Sequence, residues 1–439
     1  STNTLVQTGG TFAPGSGEDN HSFTIGHSGK ATYDFNAGEF LPPDETHVGR
    51  NQGAIGVFNI NKNVAIKTVH VGRDGGTGIM NVNVGTTTLD VVNVWYHGLN
   101  LGWGDNGSKG YLNIAEGAVL ETVERDPDNY ANLIRICNDA GTYGEVNVRG
   151  TLRDNFANWQ GGLLIARADQ NAEKGIISEG VLNNWGKTYS KGGVRVAYGA
   201  GSKGTLNIYD GIVENNGDFR AGEGAGTTAR VVVNGGALVN NSNRIIFGHG
   251  NDAQTYVEIN GGAVSNLVEH IYIGGGVPAA DWNGYVETGN AGTYTKFVMN
   301  DGTVYAKQNI YAGAWTSADT VINGGLLEAD DSIVIGEWDM VGNRKTTLTV
   351  NGGTLFATRI LKTYSGKKPA TVLNINGGTF KAKADTENYF ENCGDLAITG
   401  DGLGFDTDGY NVVTHNHDGA TCSGDGGITK KGRSEEHTS

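Results

Sequence analysis

Along most of the chain, apolar residues take every second position for four to six residues, break at a short polar turn, and resume. Residues 346–356 are TTLTVNGGTLF and residues 371–380 are TVLNINGGTF. A period of two predicts half-buried strands. Asn and Gly tolerate positive φ, so Asn351-Gly352-Gly353 and Asn376-Gly377-Gly378 predict tight turns. One such unit alone would fit a hairpin. Its recurrence argues against that.

Marked by its second turn residue, the unit returns at Gly10, Gly38, Asn63, Thr86, Gly117, Gly150, Gly180, Gly211, Gly236, Gly262, Gly302, Gly325, Gly353, Gly378 and Gly402. These marks span 392 residues with a mean spacing of 28, from 23 to 40. A fixed period in this range signals a solenoid, propeller or array. After each turn comes a second phrase, a short apolar run closing on or near Gly: VHVGRDGG (69–76), VRVAYGAG (194–201), IIFGHGND (245–252) and IVIGEW (333–338). Each coil thus carries two or three strands. Propeller blades repeat every 40–45 residues or so, which fits this spacing badly. The expected fold is all-β, a single right-handed parallel β-helix of about 14 coils over residues 1–402. An irregular C-terminal segment over 403–432 is expected to lead into a further repeat.

Stacked coils place like residues in columns about 4.8 Å apart. Inward positions are expected to be Val, Ile and Leu, and outward ones Thr, Asn, Lys and Glu. Asn234, Asn260, Asn300, Asn323, Asn351 and Asn376 precede their turn pairs. They are expected to form a turn ladder, side-chain amides bonding along the stack. Segment 39–54, with Pro42-Pro43 and several acids, predicts a loop leaving the wall. Insertions at 126–132 and 277–292 account for longer intervals, and specificity is expected in these three segments.

Composition narrows the partners. Glycine is 72 of 439 residues, about twice the usual share of roughly 7%. A net charge of −15 argues against nucleic acid, which needs a basic face. Three cysteines without a CxxC pair exclude a disulfide scaffold, leaving a Cys393–Cys422 bridge as an open question. Neither end has the look of a natural terminus. The chain opens without Met, inside a repeat, and residues 433–439 (RSEEHTS) resemble a translated sequencing-library adapter.

The phrases TLTVNGGTL, TVLNINGGTF and GYLNIAEGAVL resemble the repeats of autotransporter passenger domains of Gram-negative bacteria. Residues 425–432 (DGGITKKG) resemble the opening of the passenger-associated β-strand repeat, cut short where the adapter-like stretch begins. The resemblance implies a secreted or outer-membrane-attached β-helix, exported by a translocator barrel that would lie beyond Gly432.

Candidate chemistry is sparse. Gly248-His249-Gly250 and Asp330-Asp331 are similar to pieces of polygalacturonase-type hydrolases, but their order is reversed and three turns intervene. The further acidic and basic motifs of that family are missing. Asp126 and Asp128 lie in an insertion, away from a second acidic pair that a calcium-dependent lyase would need. His415 and His417 with Asp418 form a lone HxH without a third spaced ligand. No catalytic residue, metal ligand or cofactor is assigned on this basis. Trp103, Tyr198, Trp315, Trp338 and Tyr364 follow the second phrase at similar places, and a row of exposed rings could stack on sugars. The expected function is a non-catalytic, monomeric surface adhesin or display rod with glycans or host and matrix proteins as partners. A β-helix polysaccharide lyase or glycoside hydrolase is the alternative.

Overall fold

In a computed structural model, the described residues are 2–432 apart from 15–20, 91–97, 105–106, 124–133, 156–161, 168–175, 276–291, 337–344, 363–369 and 415–421. The insertions at 126–132 and nearly all of 277–292 lie outside them, as do Asp126, Asp128, Trp338, Tyr364, His415, His417, Asp418 and 433–439. The chain divides into two units, Ser1–Val231 with Gly236–Leu238, and Val232–Gly235 with Val239–Ser439. Each unit is an all-β parallel solenoid of three sheets, and the two together count about 14 turns.

One coil of the first unit shows the plan. Strand Ile55–Ile60 lies in the first sheet, Val64–Ile66 in the third and Thr68–Arg73 in the second; Thr77–Val82 then returns to the first. Equivalent strands pair in parallel, with Phe58 opposite Met80 and Ile60 opposite Val82. The alternation fills the interior. Phe58, Ile60, Met80, Val82, Leu112 and Ile114 of the first sheet are buried, as are Leu89 and Leu120 of the third and Val69, Val71, Leu99 and Leu101 of the second. Each such side chain contributes roughly 1.5–3 kcal/mol by leaving water. The second unit repeats the scheme, with Ile259, Met299, Ile322 and Val350 of the first sheet and Val264, Val304, Leu327 and Leu355 of the third all buried.

Outward positions form polar columns. In the second unit Asn260 donates its side-chain amide to Asn234 at 2.9 Å, Asn300 to Asn260 at 2.7 Å, Asn323 to Asn300 at 2.8 Å, Asn351 to Asn323 at 2.9 Å and Asn376 to Asn351 at 2.8 Å. The first unit holds another column, in mid-strand. Asn59 donates to Asp34 at 2.6 Å, and Asn81, Asn113, Asn147, Asn183 and Asn207 each donate to the preceding asparagine at 2.7–3.0 Å.

The corner from the second sheet back to the first is left-handed. Gly49, Gly72 and Gly102 have φ between 59° and 72° there, and Cys137, Ala166 and Ala197 hold the same conformation at 58–64°. The following strand passes so close that its second residue is glycine. A Cβ on Gly78 would lie 2.1 Å from the Val48 carbonyl oxygen and 2.3 Å from the Gly72 nitrogen.

Several expectations change. Segment 39–54 does not leave the wall: Glu45–Arg50 is a second-sheet strand paired with Ser22–Ile25 and Thr68–Arg73. Its His47-Val48-Gly49-Arg50 repeats His70-Val71-Gly72-Arg73 one coil later, and that match outweighs the proline pair. Gly180 is not a turn. It belongs to strand Glu179–Asn184, opposite Gly144 and Gly204, and the turn falls at Trp185-Gly186. Inward positions are not all aliphatic. Thr122, Asp154, Ser190 and Asn215 close third-sheet strands and are buried, because a polar side chain there can satisfy the backbone of the next turn. Asn215, for example, donates to the Gly217 carbonyl at 2.7 Å. Cys393 and Cys422 are both free, Cys393 buried and Cys422 exposed.

Candidate functional site

The described aromatic candidates share a location, at or just beyond the end of a second-sheet strand. Trp103 ends strand Leu99–Trp103, Tyr198 follows Val194–Val196, and Trp315 follows Ile310–Ala312. All three are half-buried, with a face engaged within the protein. Trp103 lies 4.2 Å from the His70 ring and carries the Arg73 guanidinium 4.2 Å above its centroid. Tyr198 has Arg195 at 5.2 Å and Arg167 at 5.7 Å. In the second unit Trp315 stacks on Tyr272 at 5.2 Å, beside a buried cluster of Ile246, Tyr272, Tyr311, Ala314 and Val334. Any sugar contact would therefore use the outer face or edge of these rings.

A denser constellation lies beneath Trp103. Parallel register sets His47 opposite His70 and His70 opposite Asn100. The two imidazoles stack at 5.1 Å and are 1% exposed. Glu45, two residues before His47 on the same strand face, turns its Oε2 to both rings: His47 Nε2 at 3.0 Å and His70 Nε2 at 3.9 Å. Arg73 Nη1 reaches the same oxygen at 3.2 Å, and its Nε lies 3.3 Å from Asp74, which also meets Arg50 at 3.4 Å. Burial pushes the His47 pKa down, against the pull of Glu45. For Glu45, burial pushes the carboxyl up, but the His47 hydrogen bond and the charge of Arg73 hold it below its ordinary value. The group thus combines imidazoles with an ionised carboxylate, a donor set suited to proton exchange or to a transition metal.

Sequence reasoning passed over Glu45, His47 and His70. The signal was present: HVGR occurs at 47–50 and 70–73, separated by one coil. It also passed over a corner stack in the first unit, where Trp185 lies 4.5 Å from Tyr209 with rings 6° apart and Arg149 sits 4.7 Å from the indole.

The hydrolase-like residues are not brought together. His249 lies just after second-sheet strand Ile245–Phe247, whereas Asp330 and Asp331 lie between third-sheet strand Leu326–Ala329 and second-sheet strand Ser332–Ile335, a different corner. Asp330 is engaged by cations: Lys307 at 2.7 Å and Lys383 at 2.5 Å, with the Tyr305 hydroxyl at 3.0 Å. Burial pushes its carboxyl up, but these hydrogen bonds win and hold the pKa down at about 2. A concave polar surface of about 950 Å³ in the second unit is lined by Asp385, Glu387, Tyr410, Asn411, Thr414 and Lys430 among others. No protein-family model, curated protein or solved structure matches this chain.

Proposed function

We propose that the chain is a passenger-type β-solenoid that acts at or outside the cell surface as an adhesin or structural display scaffold. The observation that carries this reading is the repetition of one outward amide along the stack. In the second unit Asn234, Asn260, Asn300, Asn323, Asn351 and Asn376 present the same group on successive coils. A surface of identical, shallow, polar steps suits many weak contacts made in parallel, where avidity replaces a deep pocket. The likeness of the coil phrases and of residues 425–432 to autotransporter passengers supports the same reading, and with it secretion and attachment to an outer membrane. Half-buried rings at Trp103, Tyr198 and Trp315 offer faces or edges for sugars, and Trp338 and Tyr364, outside the described residues, are further candidates by their place in the sequence.

The test is binding of the purified chain to a glycan array and to immobilised matrix proteins, with Trp315→Ala/Trp338→Ala beside the unsubstituted protein. Weaker glycan binding with an unchanged β circular dichroism spectrum is the expected result. Absence of binding to every glycan and matrix protein would remove the adhesin reading, and unchanged binding by the variant would remove the role of the rings.

A further inference from the structure

We propose that Glu45, His47 and His70 form a binding site for a divalent late first-row metal ion of the zinc class. Oε2 of the carboxylate meets Nε2 of both imidazoles, and one ligand atom from each of the three residues lies within 4.8 Å of the other two. A tetrahedral ion about 2.0–2.2 Å from each donor sets them about 3.3 Å apart. Glu45–His47 at 3.0 Å and Glu45–His70 at 3.9 Å bracket that value. Closing the site takes shifts on the order of 1 Å, within reach of side-chain rotation.

The chemistry of the donors selects the metal. Two imidazoles and one carboxylate suit zinc, cobalt or nickel, whereas calcium and magnesium prefer oxygen throughout. The surroundings supply a second shell. Asn100 places its amide 3.3 Å from His70 Nδ1. Amide oxygen and nitrogen exchange places by a half-turn of the side chain, so Asn100 can accept from Nδ1–H and leave the Nε2 lone pair for the ion. Trp103 covers the His70 ring and shields it from water.

Arg73 is the competing cation, since it shares Glu45 Oε2. It keeps two other partners, Asp74 and the Trp103 face, so an ion can take its place at Glu45 without stranding the guanidinium. Of the charged groups around the site, Arg50 and Asp74 already pair with each other. The ion would clamp strand Glu45–Arg50 to Thr68–Arg73 on the next coil, and three protein ligands would leave the fourth tetrahedral position without a side chain of this set.

The experiment titrates Co²⁺, then Zn²⁺, into the full chain, untagged and stripped with a chelator. The expected result is one equivalent of Co²⁺ per chain with a visible ligand-field band, displaced by Zn²⁺, and a higher thermal midpoint with zinc. His47→Gln and His70→Gln should each weaken binding at least about 100-fold, and Asn100→Ala about 10- to 100-fold. His415→Ala/His417→Ala should leave the band unchanged. Absence of a one-equivalent band overturns the proposal, as does a band that survives both glutamine variants or disappears with His415 and His417. Should a glutamine variant lose its β circular dichroism, X-ray absorption on the zinc-loaded His415→Ala/His417→Ala protein decides. Two imidazole ligands with oxygen donors support the site, and fewer imidazoles overturn it.

Discussion

Asn113 donates its side-chain amide to Asn81 Oδ1 at 2.8 Å and accepts the amide of Asn147 at 3.0 Å, so one side chain links three successive coils. The column is half-buried, and neither neighbour has free access to water. Asn113→Ala should therefore cost about 1–3 kcal/mol, because it removes the donor to Asn81 Oδ1 and one of the two acceptors of the Asn147 amide, which keeps Glu145. Asn351→Ala breaks the equivalent two bonds in an exposed column, where water replaces them, and should cost about 0.5–1 kcal/mol. Urea unfolding of the two variants side by side measures the difference.

Two glycines separate close approach from backbone conformation. Gly78 has neighbours' backbone atoms at 2.1 and 2.3 Å from a notional Cβ, whereas Gly117 has φ 78° and nothing within 4 Å. Gly78→Ala must push two coils apart and should lose about 3 kcal/mol. Gly117→Ala meets only the left-handed penalty, about 1–2 kcal/mol. Thermal midpoints should rank the unsubstituted protein above Gly117→Ala, and that above Gly78→Ala.

Asp330 makes the second unit sensitive to acid. Its folded pKa of about 2 lies below its ordinary 3.8. The folded state therefore binds fewer protons than the unfolded one in this range, and stability drops as pH is lowered. The contribution of Asp330 should be fully present above about pH 4 and lost as pH falls through about 2. Solvent screening reduces it to roughly 1 kcal/mol. Asp330→Asn should flatten this part of the melting-temperature profile between pH 5 and 2. An identical slope in the variant would show that Lys307 and Lys383 do not stabilise the carboxylate.

At the corner of the first unit, Trp185 stacks between Arg149 and Tyr209. Trp185→Ala should cost about 1–2 kcal/mol from stacking and cation–π contact together. Loss of the near-ultraviolet circular dichroism of the coupled rings would accompany it. A midpoint within error of the unsubstituted protein would show that the stack is incidental.

The alternation of MNVNVG or TLNIYDG is legible because strand geometry translates directly into a period of two, and Asn-Gly-Gly marks a corner because few other residues accept that backbone. The mid-strand column of Asn59, Asn81, Asn113, Asn147, Asn183 and Asn207 was equally open to view, one residue before the last inward position in each phrase. Its meaning depends on register, since an outward asparagine is an ordinary surface residue until its neighbour on the next coil is also asparagine. Gly180 misled for the opposite reason. A glycine required by close approach inside a strand looks, in one dimension, the same as a glycine required by a turn.

By itself the sequence determined that this chain coils. Short-range alternation, turn chemistry and a steady period are local properties, and they suffice to specify parallel strands stacked coil on coil; that each coil feeds three sheets rather than two was decided by the structure. What only the tertiary structure decided is which distant side chains meet. His47 and His70 are 23 residues apart, and Glu45 offers no motif of its own. Parallel register sets the two imidazoles face to face, and the strand pleat turns Glu45 toward the same side. Local preference can announce a coil, but a site assembled across coils exists only once the register between them is set.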